Sequence, residues 1–214
     1  MPVTMPSPAE LAALIVAISF AAGLNVYATV ATLGVLARLN WIDLPGHLGM
    51  VESWWVIGAS SVLVVMEYIA DNIPIFDLVW NTLQTFVRIP VAAVLAWAAT
   101  PQLGDGWQAV AALVGGTIAL AAHGGKTAAH ASIASSPEPF SNFVLSTAEH
   151  AFTVFIVWFA TEHPFLAAAI ALVALGVVIV LIRFVFLALR AMFRGARHRW
   201  ALGANAREAS IRAS

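Results

Sequence analysis

The chain has 214 residues, 61% hydrophobic and 10% charged, with a mean hydropathy of +0.90, whereas a soluble domain carries roughly 25% charged residues. This composition belongs to the membrane class. With no cysteine in the chain, disulfides, thiolate catalysis and cysteine-ligated metals are excluded; a net charge of −1 points to neither nucleic acid nor an acidic partner.

The opening stretch MPVTMPSPAE has no basic region, and Glu10 is its only charge. Neither a cleaved signal peptide nor an Arg-rich transit peptide is expected. A spanning helix needs about 20 mostly apolar residues, and residues 11–37 supply 27 without a charge, as one span or as a broken or re-entrant element. Further spans are expected at 53–70, from about Asn81 to Thr100, from Trp107 through Lys126, from about Phe143 to Thr161, and from Phe165 to Ile182. The fold class is therefore an all-α polytopic transmembrane bundle of about six spans. Residues 1–193 form one membrane domain and 194–214 a basic tail.

Of ten Lys and Arg, seven lie at or beyond Arg183. The positive-inside bias puts that tail in the cytoplasm, and six crossings of the cytoplasmic membrane would bring the N-terminus there too. Trp41, Trp54, Trp55, Trp97, Trp107 and Trp158 then fall at the outer ends of spans, where tryptophan prefers the headgroup zone.

Charges inside such spans need a reason. From Asp77, residues Asn81, Gln84, Thr85 and Arg88 share one face of a helix. The same spacing recurs as Asn142, Ser146, Glu149, His150 and Thr153, and each set follows a proline, Pro74 or Pro139. The preceding spans end in polar groups: Glu67 and Asp71 on one, His123, Lys126, Thr127 and His130 on the other. Two similar hairpins, about 53–100 and 107–161, are expected to face each other as an internal repeat, and such repeats often build a site at their interface. Span one has its own polar line, Asn25, Thr29 and Thr32. Span six has none and is expected to pack outside. Ala111, Gly115 and Ala119 would let helices approach closely.

The segments GLNVYATVATLGVLARL, EYIADNIPIFD, TFVRIP and SPEPFSN together resemble domain of unknown function 4126, a family of small multi-spanning membrane proteins, over roughly residues 9–193. The resemblance implies the fold class and brings no activity, cofactor or site residue with it.

An ionisable side chain near the bilayer centre costs at least ~2.5–3.5 kcal/mol, so pairing is expected: Arg88 with Glu67, Asp71 or Glu149, and Lys126 with Glu149 or Asp77. The leading expectation is a small secondary transporter or translocase, proton-coupled, for a small polar or anionic substrate. Arg88, Lys126, His123 and His130 would hold the anionic group, and Asn25 a cation or hydroxyl. Glu67, Asp71, Glu149 and His150 would carry the coupling proton or form ion pairs, and Asp77, Asn81, Thr85, Asn142 and Ser146 would complete the polar stripes. The partners expected are the bilayer, that solute and possible further copies of the chain.

Two other classes compete. In a scaffold, buried ion pairs merely fix helix register. In an intramembrane lipid-headgroup enzyme, Glu67, His123 or His130 would act as acid and base, although no hydrolytic, zinc or nucleophile-elbow motif is present. No cofactor is expected. His123 and His130 lie about 10 Å apart along a helix, too far to share a metal ion; a mixed Glu67, Asp71 and His130 site is the weaker alternative.

Overall fold

The computed structural model describes residues 6–133, 139–184, 186, 187 and 190, and all regular structure among them is helical. Helix α1 (Pro8–Leu24) starts at a capping box. Ser7 Oγ accepts from the Glu10 amide at 3.2 Å, and the Ser7 amide donates to Glu10 Oε2 at 2.7 Å, so donors that a helix start leaves open are satisfied. The helix stops at Asn25, whose backbone is extended at φ −151° and ψ 100°. Asn25 Oδ1 accepts from the Ala28 amide at 2.8 Å and so caps the start of α2 (Val26–Arg38).

Five longer helices follow: α3 (Trp54–Asp71), α4 (Pro74–Ala98), α5 (Asp105–Ile133), α6 (Pro139–Glu162) and α7 (Pro164–Phe184). All five are long and apolar enough to cross a membrane. Three begin at proline, whose fixed φ and missing N–H suit the first helical position. Because Pro74 starts α4, Asp77 lies in its first turn.

Residues 11–37 are not one span. Leu14, Ile15 and Ile18 of α1 line a cavity together with Leu33 of α2, Leu95 and Ala99 near the end of α4, and Thr161 at the end of α6. At its other end α1 lies deep in the bundle, where a Cβ on Gly23 would meet the Ala119 oxygen of α5 at 2.5 Å. From there α2 returns: Arg38 lies over the Trp54 ring at the start of α3. The chain enters, reverses at Asn25 and leaves on the side it came from. Backbone that breaks helix geometry at membrane depth must be sealed in protein, and Gly23, Leu24, Asn25 and Val26 are all buried.

The six crossings expected from sequence are therefore five long helices and a re-entrant pair. One face of the bundle holds the start of α1, the end of α2 and the six expected tryptophans, all exposed; the opposite face holds the α3–α4 turn, the end of α5, the start of α6 and the end of α7. The start of α1 and the end of α7 thus lie on opposite faces, where an even number of crossings would have put them on one. Helix α3 runs parallel to α5, and α4 to α6.

Close approach holds the core. A Cβ on Gly115 would come within 2.8 Å of Ala96 Cβ and Ser19 Oγ, which brings α5 against α4 and α1. Helix α7 packs outside: only 22% of its apolar window is buried, through Ala171 and Leu175 against Phe20 and Leu24 of α1.

Candidate functional site

Helical spacing places Glu67 and Asp71 on one side of α3, four residues apart, and both side chains are buried. Arg88 lies midway along the apolar stretch Val79–Ala98 of α4. Across from them α5 turns His123, Lys126 and His130 inward, and α6 brings Ser146, Glu149 and His150. Residues from four helices meet in one cluster.

Lys126 is its centre. The ammonium lies 3.0 Å from Glu67 Oε1, 2.9 Å from Asp71 Oδ2 and 3.3 Å from Glu149 Oε2. Ser146 Oγ adds a bond to Asp71 Oδ2 at 3.3 Å, and His130 Nε2 reaches Glu149 Oε2 at 3.3 Å. Arg88 Nη2 donates to the same Glu67 oxygen that Lys126 uses. Arg88 Nη1 donates to His123 Nδ1 at 2.9 Å and to the Gly23 carbonyl at 3.3 Å.

These bonds fix a tautomer. Guanidinium only donates, so His123 Nδ1 accepts and its Nε2 carries the proton, which goes to Thr85 Oγ1 at 2.8 Å. Thr85 passes its own hydroxyl proton to the Asn81 carbonyl at 3.1 Å. His123 is thus a neutral spacer between arginine and the polar stripe of α4. Three carboxylates then face the Arg88 guanidinium and the Lys126 ammonium, with His130 on Glu149 as a third group able to carry positive charge.

Arg88 and Lys126 are each engaged by carboxylate. Glu67, Arg88 and Lys126 have no exposed side-chain surface, whereas Glu149 keeps 13%, which makes Glu149 the accessible member.

Most sequence candidates converge here: Glu67, Asp71, Arg88, His123, Lys126, His130, Ser146 and Glu149, with Thr85 and Asn81 behind His123. Of the pairs expected, Arg88 takes Glu67, and Lys126 takes Glu149 together with Glu67 and Asp71. Asn25 is used differently. Its side-chain oxygen caps α2, and Thr29 Oγ1 donates to the Asn25 carbonyl at 2.8 Å, so both serve the chain reversal. Gln84 donates to the Tyr27 hydroxyl at 3.1 Å, which ties α4 to α2. The side chains of Asp77 and Asn142 lie outside the described residues.

Sequence reasoning missed Tyr68 and the Gly23 carbonyl. Tyr68 OH bonds Thr147 Oγ1 at 3.0 Å and its ring meets His150 edge-on at 5.4 Å; its place beside Glu67 was the available signal. For metal coordination, Glu67, Asp71 and His150 each offer a ligand atom within 4.8 Å of the others, as do Asp71, His130 and Glu149. The trio weighed from sequence, Glu67, Asp71 and His130, is replaced by these two.

The family model described as Domain of unknown function (DUF4126) matches residues 12–184. The chain belongs to this family. No curated protein and no solved structure matches it. The DUF4126 match begins inside α1 and ends with α7 at Phe184, so it takes in the chain reversal and the whole charged cluster.

Proposed function

We propose that this protein is a small proton-coupled transporter of the cytoplasmic membrane, with the Lys126 cluster as its exchange centre and a small cation as its cargo. The carrying observation is one buried ammonium on α5 shared by three carboxylates from two other helices, α3 and α6. A lysine held in this way stands where an incoming cation would stand. Movement of Lys126 or protonation of a carboxylate would admit or release that cation, and neither change needs the fold to break. Intramembrane ionisable groups of this kind mark ion pathways and proton relays.

The two hairpins support the reading as an internal repeat: α3–α4 and α5–α6 enter from the same face and turn their polar stripes toward each other. Their relation is then parallel, about an axis along the membrane normal, as in one known class of transporter repeat. The arginines from Arg183 onward put the end of α7 in the cytoplasm by the positive-inside bias. The charged cluster then lies toward the cytoplasmic face and the tryptophan belt at the outer one.

One observation favours a second reading, a scaffold with structural ion pairs: Arg88 bonds the Gly23 carbonyl and so helps hold the chain reversal. Purified protein in liposomes carrying an internal pH dye separates the two. A transporter moves protons when a gradient of a small cation is imposed; a scaffold leaves the internal pH unchanged.

A further inference from the structure

We infer that Glu67, Asp71 and His150 form a binding site for a divalent transition-metal cation of the zinc or manganese class. The three side chains offer ligand atoms within 4.8 Å of one another. Each also carries one buried polar atom with no hydrogen-bond partner: Glu67 Oε2, Asp71 Oδ1 and His150 Nε2. Leaving such atoms unpaired costs about 1–3 kcal/mol each, more for charged groups, so each of the three residues keeps an open position for a ligand. The opposite oxygens, Glu67 Oε1 and Asp71 Oδ2, are the ones that hold Lys126. The free oxygens are therefore available without breaking the ion pairs.

His150 is set up for coordination. Its Nδ1 lies 2.9 Å from the Ser146 carbonyl, which can only accept, so Nδ1 carries the proton and Nε2 presents its lone pair. A ring N–H given to a backbone carbonyl is the usual support of a metal-ligating histidine. The Tyr68 ring packs edge-on against the imidazole and limits its rotation. A zinc ion with bonds of ~2.0–2.1 Å holds tetrahedral ligands about 3.3 Å apart, and one ligand atom from each of the three residues already lies within 4.8 Å of the others. Two carboxylates with one imidazole suit zinc, manganese or ferrous iron better than magnesium, which takes oxygen ligands and keeps its waters. The second trio is less open, because His130 Nε2 and Lys126 already occupy Glu149 Oε2.

As a binding site this stands on its own geometry; as the identity of the cargo it rests on the transport reading. The test is equilibrium dialysis of the purified full chain in detergent against Zn²⁺ and Mn²⁺, with Mg²⁺ for comparison and His150→Phe, His130→Ala and His163→Ala as variants. Among the described residues His150 forms no ion pair within 4 Å, and phenylalanine keeps the ring contact with Tyr68, so the thermal transition of His150→Phe should stay near that of the parent. The expected result is one metal per chain for Zn²⁺ or Mn²⁺ and a loss of affinity of about tenfold or more in His150→Phe, with His130→Ala and His163→Ala unchanged. Stoichiometric binding absent from the parent, binding retained by a folded His150→Phe, or binding lost only in His130→Ala would overturn the inference. Metal bound at this site without metal flux in liposomes would leave the site standing and remove the transport reading. Proton flux without metal binding would do the reverse.

Discussion

Arg88 Nη1 lies 3.3 Å from the carbonyl oxygen of Gly23, so a guanidinium in the middle of α4 ends the last turn of α1. The C-terminal carbonyls of a helix lack intrahelical donors and carry partial negative charge. Arg88 supplies both a donor and a charge at that point, and its other nitrogen pairs with Glu67. One side chain joins the chain reversal to the charged cluster.

Arg88→Met is therefore expected to be among the most damaging single changes. Removing one partner of a buried ion pair costs about 3–5 kcal/mol, here with an orphaned Gly23 carbonyl added. Chemical unfolding in detergent measures this. The pair Arg88→Met with Glu67→Gln should recover part of the loss, because no unpaired charge is left on α3; simple addition of the two single effects would contradict the pairing.

Glycine variants test the packing with a built-in control. A Cβ on Gly23 meets backbone at 2.5 Å and one on Gly125 meets Val178 at 2.5 Å, while one on Gly58 meets nothing within 4 Å. Gly23→Ala and Gly125→Ala should each lose about 1–3 kcal/mol. Gly58→Ala should hold or gain up to about 1 kcal/mol, as alanine favours a helix. Equal effects at all three sites would mean that the interhelical approaches are wrong.

The cysteine-free chain makes the topology easy to read. Single cysteines at Ser7 and Arg190, labelled with an impermeant thiol reagent in sealed vesicles, should react from opposite sides. Labelling of both from one side would restore six crossings and undo the re-entrant pair.

Asn25→Ala separates a cap from a ligand. Loss of the cap on α2 should cost about 1 kcal/mol, within a range of 0.5–2, seen as a lower melting temperature. Cation-driven proton flux per folded molecule should stay at the parent level; its loss in a folded Asn25→Ala would return this residue to the site.

The long helices and their polar faces were legible because hydropathy and the helical repeat of Glu67–Asp71, His123–Lys126–His130 and Ser146–Glu149–His150 do not depend on neighbours. The tryptophans and the outward place of α7 followed for the same reason. The reversal at Asn25 was left open in the sequence, between one continuous span and a broken or re-entrant element. An asparagine there reads equally as a polar ligand in a continuous helix, and only the Ala28 amide at its Oδ1 decides for a cap. The partner choices were hidden more deeply. Lys126 could reach Asp71 only because α3 and α5 run parallel, which one-dimensional spacing does not state. Counting cations on a face says nothing about how many carboxylates arrive from other helices.

Glu149→Gln gives the most direct measurement of whether the Lys126 cluster works as an exchange centre. It removes the accessible carboxylate and keeps its shape, in a cluster where Asp71 and Glu67 still hold Lys126. In proteoliposomes under a small-cation gradient, the parent protein should move protons, and a folded Glu149→Gln with near-parental melting temperature should move them at least about tenfold more slowly, as expected for a general acid–base group. Equal proton flux in the two proteins, or none above empty vesicles in either, would reduce the cluster to a structural lock.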